Sequence, residues 1–133
     1  MENTLSYLTT VLYKDFLGYT SKKLEQFHLN YGSLPFILFI GKHPGCTPAQ
    51  LTNTLHFDWG YSQRSITKLV QQEFITKEKS SLSGRAYHLN LTDKGIQAFE
   101  MSHHVFFSWD DEKMDGLSSE EKDQLFMILQ KLI

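Results

Sequence analysis

The sequence has few cysteines and no long apolar run, and each shortage excludes a class of protein. Its one cysteine, Cys46, cannot form a disulfide within the chain, which fits a reducing compartment. No apolar run approaches the roughly 20 residues that cross a bilayer. The start "MENTLSYLTT" lacks the basic and apolar regions of a secretion signal. We therefore expect a cytoplasmic protein that has no membrane partner.

Charge is unevenly distributed along a chain of ordinary globular composition. The 133 residues fit a single domain, 1–133, and 41% hydrophobic residues are enough for a core. The net charge of −2 argues against bulk coating of nucleic acid. However, the stretch from Trp59 to Lys94 carries six basic residues against three acidic ones, whereas Trp109 to Gln124 carries seven acidic against two basic. The middle of the chain is therefore its basic part, and the two regions should face different surroundings.

The first half of the chain reads as helices. Apolar spacings of three, four and eight over residues 4–31 predict one long helix, with Gly18 as a weak point. Ser33 is predicted to cap a second helix at 34–42, which is apolar nearly all round and should be buried.

Two capping signals follow. Thr47, with Gln50 three residues later, predicts a capping box that opens a short helix ending at Leu55. After the "HF" dipeptide, Asp58 is predicted to cap a further helix. The inward stripe of that helix is Ile66, Leu69 and Val70.

The second half predicts a hairpin and two more helices. Residues 76–79 and 85–91 read as strands separated by small residues. Thr92 is predicted to cap a helix that the acidic segment 110–116 interrupts. The last helix opens with a capping box from Ser118 to Glu121. The overall prediction is a mainly α fold with a small β-hairpin wing, a winged helix-turn-helix.

A capped helix with a polar, basic outer face is suited to the DNA major groove, where each base pair presents a distinct pattern of donors and acceptors. An arginine beside a wing of small residues is suited to the minor groove, whose negative potential attracts it. The helix residues predicted to contact double-stranded DNA are Trp59, Gly60, Tyr61, Gln63, Arg64, Thr67 and Lys68. The wing residues are Ser81, Ser83 and Arg85.

The stretch "LPFILFIGKHPGCTPAQLTNTLHFDWGYSQRSITKLVQQEFITKEKSSLSGRAYHLNLTDKG" resembles the MarR family of bacterial transcription regulators, above all in its ending "GRAYHLNLTDKG". The resemblance implies a homodimer whose first and last helices interlock and whose paired winged helices read a palindromic operator. It also implies repression that a small ligand or oxidation relieves. Ser83 stands where the family commonly has an aspartate, which predicts a looser wing. Glu73 stands where it tends to have a glycine, which predicts a differently built turn.

Apolar stripes near both termini predict the dimer independently. They are too apolar to remain in water, so residues 1–32 and 96–133 are expected to form the dimerisation helices around a DNA-binding region at 33–95. The stripes are Leu5, Leu8 and Leu12 at the start, and Leu125, Ile128, Leu129 and Leu132 at the end.

Sensor sites are weighed against plain structural roles. A crevice for a small aromatic or phenolic effector is expected at Tyr13, Phe16, Phe39, His43, Phe99 and His103, although aromatic stripes often simply form core. His43 and His103 could bind metal together with Glu25, His28 or Glu100, but exposed or core histidines explain them equally. A helix dipole and Lys42 could activate the Cys46 thiol, whose alternative is an inert buried side chain.

Motifs of catalysis are missing from the sequence, so neither a catalytic residue nor a cofactor or resident metal is predicted. The remaining alternatives to a ligand-released DNA-binding repressor are a metal- or redox-responsive regulator of the same fold and a winged helix that binds a protein partner.

Overall fold

The computed structural model describes residues 1–80 and 86–133, and within them six α-helices and a β-hairpin. The helices are α1 (Leu5–Leu24), α2 (Leu34–Lys42), α3 (Pro48–Leu55), α4 (Trp59–Gln71), α5 (Asp93–Met114) and α6 (Ser119–Gln130). The strands are β1 (Ile75–Lys79) and β2 (Tyr87–Leu91). Within the described residues, no helix is both long enough and apolar enough to cross a membrane.

The first helix is shorter than its sequence pattern predicts. It ends at Leu24, passes into a 3-10 turn, and reverses at His28, whose φ of 56° is left-handed. The Leu29 N–H donates to the Leu24 carbonyl at 3.2 Å, the bond that closes a Schellman helix end. The prediction of one helix over residues 4–31 is therefore wrong, because this stop has no glycine to signal it.

The second helix begins where expected but without the expected cap. Ser33 itself is helical in φ and ψ and its side chain caps nothing. Asn30 instead caps the preceding 3-10 turn by accepting the Ser33 N–H at 3.2 Å. Three side chains of α2, Phe36, Ile37 and Ile40, are completely buried, as its apolar sequence predicts.

Both predicted capping boxes are confirmed. In α3 the Gln50 N–H donates to the Thr47 hydroxyl at 3.1 Å, and the Gln50 side chain accepts the Thr47 N–H at 2.9 Å. In α6 the reciprocal bonds between Ser118 and Glu121 measure 3.0 and 3.1 Å. These signals are local, so they can be read without knowing the fold.

The acidic segment does not interrupt α5 where the sequence suggests. The helix starts after Thr92, which caps it as predicted, and continues through Asp110 to Met114. Lys113 pairs with Asp15 of α1 at 2.9 Å, and the Trp109 indole N–H donates to the same carboxylate at 2.9 Å. These contacts anchor the last turns of α5 to α1, which explains why they remain helical despite their charge.

The hairpin is a two-stranded antiparallel sheet in which Ile75 pairs with Leu91 and Lys79 with Tyr87. The strands lie within one or two residues of the predicted ones, and the predicted start at Arg85 lies outside the described residues. Residue Cys46 forms an additional bridge to Leu89, whose N–H donates to the Cys46 carbonyl at 2.8 Å. The loop before α3 thus extends the sheet at the base of the wing.

The core lies where α2 packs against α5 and against the helix-turn-helix. It includes Leu51 of α3, Ile66 of α4, Phe74 before β1 and Leu89 of β2, all completely buried. The helix-turn-helix and the wing therefore share one core with the long helix α5.

Candidate nucleic-acid interface

Helix α4 is built as the sequence predicts. The Asp58 carboxylate accepts the Tyr61 N–H at 3.1 Å and caps the helix. Ile66 and Leu69 are buried against the core, and Val70 is partly buried. The opposite face is therefore left towards solvent.

That outer face is polar and basic. It carries the exposed side chains of Arg64, Thr67, Lys68 and Gln71, which line a shallow surface groove together with Gln63. Gln71 was not predicted, although its spacing of three from Lys68 and four from Thr67 signals the same face. Among the described residues, the one ion pair joins Lys113 and Asp15. Arg64 and Lys68 therefore form no ion pair with a carboxylate of these residues.

At Gly60 the first turn of α4 lies close to the side chains of Arg64 and Asp58. A Cβ built there would lie 3.1 Å from Arg64 Nη1 and 3.2 Å from Asp58 Oδ2, so the guanidinium folds back over this turn. Trp59 is 54% exposed beside it. A planar cation at the start of a helix is a suitable arrangement for phosphate or for a guanine edge.

Two of the residues predicted to contact DNA, Gln63 and Tyr61, are less accessible to DNA than the sequence suggests. Gln63 is half-buried, and its amide nitrogen Nε2 is buried without a hydrogen-bond partner in the described part of the chain. The prediction that Gln63 faces outward is therefore wrong for this nitrogen. The Tyr61 ring packs edge-on against Phe57 with centroids 5.3 Å apart, and Phe57 in turn stacks on Phe36 at 5.2 Å. Tyr61 therefore also supports the turn between α3 and α4.

The end of α4 is held by the segment Leu91 to Gly95, the most family-specific part of the sequence. Glu73 adopts a left-handed φ of 66°, which favours glycine, and the Phe74 N–H donates to the Leu69 carbonyl at 3.0 Å. The Thr92 hydroxyl lies 2.6 Å from the Glu73 carbonyl oxygen. The turn thus has a left-handed backbone at Glu73, a position where glycine would fit better than glutamate.

Two further residues of this segment contact the same turn. Lys94 Nζ donates to the Gln72 carbonyl at 2.9 Å and lies 4.3 Å from the centre of the Phe74 ring. Gly95 is in such close contact with Phe74 that an added Cβ would lie 2.0 Å from its carbonyl oxygen. The segment therefore joins α4, β1 and the start of α5 in one rigid junction.

The wing is described only at its base. The predicted contacts Ser81, Ser83 and Arg85 lie outside the described residues, as does the tip whose looseness the sequence predicts. Within the described strands, Lys77 Nζ lies 4.7 Å from the centre of the Tyr87 ring. His88 Nδ1 is 2.8 Å from the Gly45 carbonyl oxygen, which ties β2 to the loop before α3.

Apolar side chains are exposed at both ends of the chain. All seven residues of the predicted dimer surface have 37% to 60% of their area exposed: Leu5, Leu8, Leu12, Leu125, Ile128, Leu129 and Leu132. Tyr7, Val11, Phe126 and Met127 extend this surface and were not predicted. Their place in the same helices, α1 and α6, is the signal that identifies them.

The predicted ligand-pocket residues do not form a single site. Phe39 and His43 line a first cavity of about 310 Å³, together with Tyr31, Lys42 and Phe106 among others. Tyr13 and Phe16 line a second cavity of about 450 Å³ between α1, α5 and α6. The Phe99 ring packs under Gly41, where an added Cβ would lie 2.3 Å from it, and His103 lies beside Phe99 with centroids 6.1 Å apart.

The structure argues against the redox and metal hypotheses. Cys46 is buried, and this burial raises the pKa of its thiol, so the expectation of a lowered pKa is wrong and the buried alternative is confirmed. Across residues 1–80 and 86–133, no group of three or more His, Cys, Asp or Glu side chains is placed to hold a metal ion. His43 and His103 therefore form no such group with Glu25, His28 or Glu100.

A helix-turn-helix followed by an antiparallel wing, on one core with a long helix, defines a winged helix-turn-helix protein. No protein-family model matches the chain. The HTH-type transcriptional regulator BilQ of Clostridium symbiosum is 40% identical over 132 residues, which cover 99% of this chain and 92% of that protein.

Solved structures agree with this relationship. Streptococcus pneumoniae FabT, solved in complex with DNA, superimposes with a TM-score of 0.85 and 25% identity over 96% of this chain and 90% of that one. A mutant MarR from E. coli complexed with operator DNA gives a TM-score of 0.81 and 19% identity over 97% and 93%. The chain belongs to the MarR family of winged helix-turn-helix transcriptional regulators.

Proposed function

We propose that this protein binds a palindromic operator in double-stranded DNA as a homodimer and represses transcription until a small ligand releases it. The observation that carries the proposal is the outer face of α4, where Arg64 and Lys68 lie one turn apart, exposed and unpaired with any carboxylate of the described residues. Cations without counter-ions on a helix of this size are suited to phosphates and base edges in a major groove.

The roles of the two cations should differ. Arg64 presents a planar fork that can pair with guanine or a phosphate, whereas Lys68 acts as a point charge on the backbone. Trp59 and Thr67 of the same helix are also exposed, and Gly60 is half-buried. Two neighbours of the same fold have been solved with DNA, which supports DNA as the partner of this protein.

The exposure of α6 supports the proposed dimer. Leu125 to Leu129 are five consecutive apolar residues, and each has 37% to 55% of its area exposed. Successive residues of a helix point in all directions, so a flat partner surface cannot cover them. The helices of a second copy would have to enclose α6, and the exposed stripe of α1 offers them a matching apolar surface. A twofold dimer would set the two α4 helices about 34 Å apart, one turn of DNA.

We propose the first cavity as the site of the effector. Aromatic rings of Tyr31, Phe39 and Phe106 line it, and Lys42 supplies a cation at its wall. This chemistry is suited to a small aromatic or phenolic compound that carries negative charge.

Selection of bound sequences from random duplexes tests the proposal. The expected result is an inverted repeat with half-site centres about ten base pairs apart. Affinity for the selected duplex should fall linearly in logarithm with salt concentration, because several phosphate contacts release counterions. Failure to retain any duplex at low salt would refute the proposal and favour a winged helix that binds a protein partner.

A further inference from the structure

The cap of α4 differs in charge from the other side-chain caps of the described helices. Thr4, Thr47, Thr92 and Ser118 cap α1, α3, α5 and α6 with neutral hydroxyls, whereas Asp58 caps α4 with a carboxylate. Serine and asparagine cap a helix about as well as aspartate does. Capping alone therefore does not explain why a negative charge stands at the start of the helix that we propose to face DNA phosphates.

The cap uses only one oxygen of the Asp58 carboxylate. Asp58 is exposed, and its Oδ2 accepts the Tyr61 N–H at 3.1 Å. Within the described residues, the carboxylate makes no other hydrogen bond and no ion pair. An ionised carboxylate can accept several hydrogen bonds. Asp58 therefore caps α4 and still has an acceptor, Oδ1, for a donor on a partner molecule.

The Arg64 guanidinium lies beside this carboxylate. Arg64 Nη1 and Asp58 Oδ2 approach the same point above Gly60, since an added Cβ there would lie 3.1 Å from the nitrogen and 3.2 Å from the oxygen. The two side chains nevertheless form no ion pair with each other. The exposed start of α4 thus presents the donors of a guanidinium next to the acceptor of a carboxylate.

We infer that Asp58 is a specificity-determining residue, and that Asp58 and Arg64 together read one G·C base pair in each half-site of the operator. In the major groove, guanine presents the acceptors O6 and N7, and cytosine presents its N4 amino donor beside them. Arg64 would donate to guanine while Asp58 accepts from the cytosine amino group. An A·T pair would instead place the thymine O4 acceptor against the carboxylate, which would repel it.

The inference rests on the proposed function, because α4 must enter the major groove for Asp58 to meet a base. A carboxylate that only capped the helix would repel the phosphates of every duplex alike. Its removal would then strengthen binding to all sequences by the same factor. A contact with cytosine instead changes the relative affinities of different sequences, and this difference separates the two explanations.

The experiment measures base preference by gel-shift titration. The duplexes are the operator selected by the full-length parent protein and variants in which each base pair of a half-site is replaced in turn. We expect the parent to prefer G·C over A·T at one position by about thirtyfold or more. Arg64→Ala should relax the preference at this same position.

Asp58→Asn tests the carboxylate directly. The asparagine oxygen can accept the Tyr61 N–H and keep the cap, but the other atom of the amide is then a donor and cannot accept from cytosine. We expect the preference for G·C over A·T at this position to fall about tenfold. Asp58→Ser also keeps a capping hydroxyl, is too short to reach a base, and should lose the preference in the same way. Circular dichroism checks that both variants fold.

Glu78→Gln is the matched control, because it removes an equal charge from an exposed residue of β1. It should leave the preference at this base pair within about twofold of that of the parent. Loss of preference at one G·C pair in the Asp58 and Arg64 variants, but not in Glu78→Gln, would support the inference.

Two outcomes would overturn this inference and leave the proposed function intact. The first is an Asp58→Asn protein that binds every duplex more tightly by the same factor. The second is a pair of variants, Asp58→Asn and Arg64→Ala, that relax preference at different base pairs. A parent protein that retains no duplex at low salt would overturn the proposed function and this inference together.

Discussion

The hydroxyl of Thr92 lies between two backbone groups from different elements, accepting the Gly95 N–H at 3.0 Å and lying 2.6 Å from the Glu73 carbonyl oxygen. One side chain thus caps α5 and holds the end of α4. Replacing Thr92 by valine keeps the shape and removes both bonds, so we expect a loss of about 1 to 3 kcal/mol of unfolding free energy. Urea unfolding at fixed protein concentration measures it. Thr92→Ser retains the hydroxyl and should lose much less.

Gly95 and Gly18 should respond in opposite directions to alanine. At Gly95 the new Cβ would collide with the Phe74 carbonyl oxygen, at 2.0 Å, and the backbone would have to shift. We expect a loss of about 2 kcal/mol or more. At Gly18, within α1, a new Cβ meets nothing within 4 Å, and helix propensity predicts a gain of up to about 1 kcal/mol. Thermal unfolding of both variants would reveal the contrast, and a Gly95→Ala protein as stable as the parent would contradict the close contact.

Replacing Glu73 by glycine should stabilise the folded protein. Its φ of 66° is strained for a residue with a Cβ, and its left-handed conformation is part of the helix end. We therefore expect Glu73→Gly to raise the free energy of unfolding by about 1 kcal/mol. Glu73→Ala removes the same side chain while keeping the strain, so it serves as the control. If alanine stabilises as much as glycine, the carboxylate and not the backbone is responsible.

Arg64 and Lys68 should affect DNA binding differently. Arg64→Ala is expected to cost about 1 to 3 kcal/mol of binding free energy and to relax preference at one base pair. Lys68→Ala is expected to weaken binding to all sequences alike and to reduce the salt slope by about one. Gel-shift titrations on the selected operator and on single-base variants would separate the two effects. Lys14→Ala, which removes a cation from α1, is the charge-matched control, and an equal loss there would discredit α4 as the reading face.

The exposed apolar stripes should be needed for assembly. Leu8→Glu places a charge in the stripe of α1 and should yield a monomer by sedimentation, with operator affinity about a hundredfold lower or worse. Ile96→Glu introduces the same charge at a similarly exposed apolar residue of α5, 44% against 49% exposed, and should leave the dimer intact. A Leu8→Glu protein that sediments with the parent would argue against the proposed surface.

Local signals in the sequence predict much of the fold. The caps at Thr47, Asp58, Thr92 and Ser118 are all confirmed, because each depends on side chains within three residues of a helix start. The bridge between Cys46 and Leu89 was missed, since a single residue pair leaves no alternating pattern to read.

Helix ends were harder to predict than helix starts. The end of α3 at Leu55 is confirmed, but α1 and α4 end with His28 and Glu73 in the left-handed region, where glycine is the usual signal. Only tertiary contacts, such as those of Thr92 with Glu73, reveal why such residues are tolerated. The candidate site was also predicted only in part. The basic face of α4 follows from helical spacing. The burial of the Gln63 amide depends on packing between distant segments.

The contact of Gly95 with the Phe74 carbonyl leaves no free space between the turn that ends α4 and the start of α5. In a pair of such chains, a tilt of α5 near α1 and α6 would therefore move α4 with it. A small molecule wedged beside Phe106 could therefore put the two reading helices out of step with the pitch of the duplex without touching either of them.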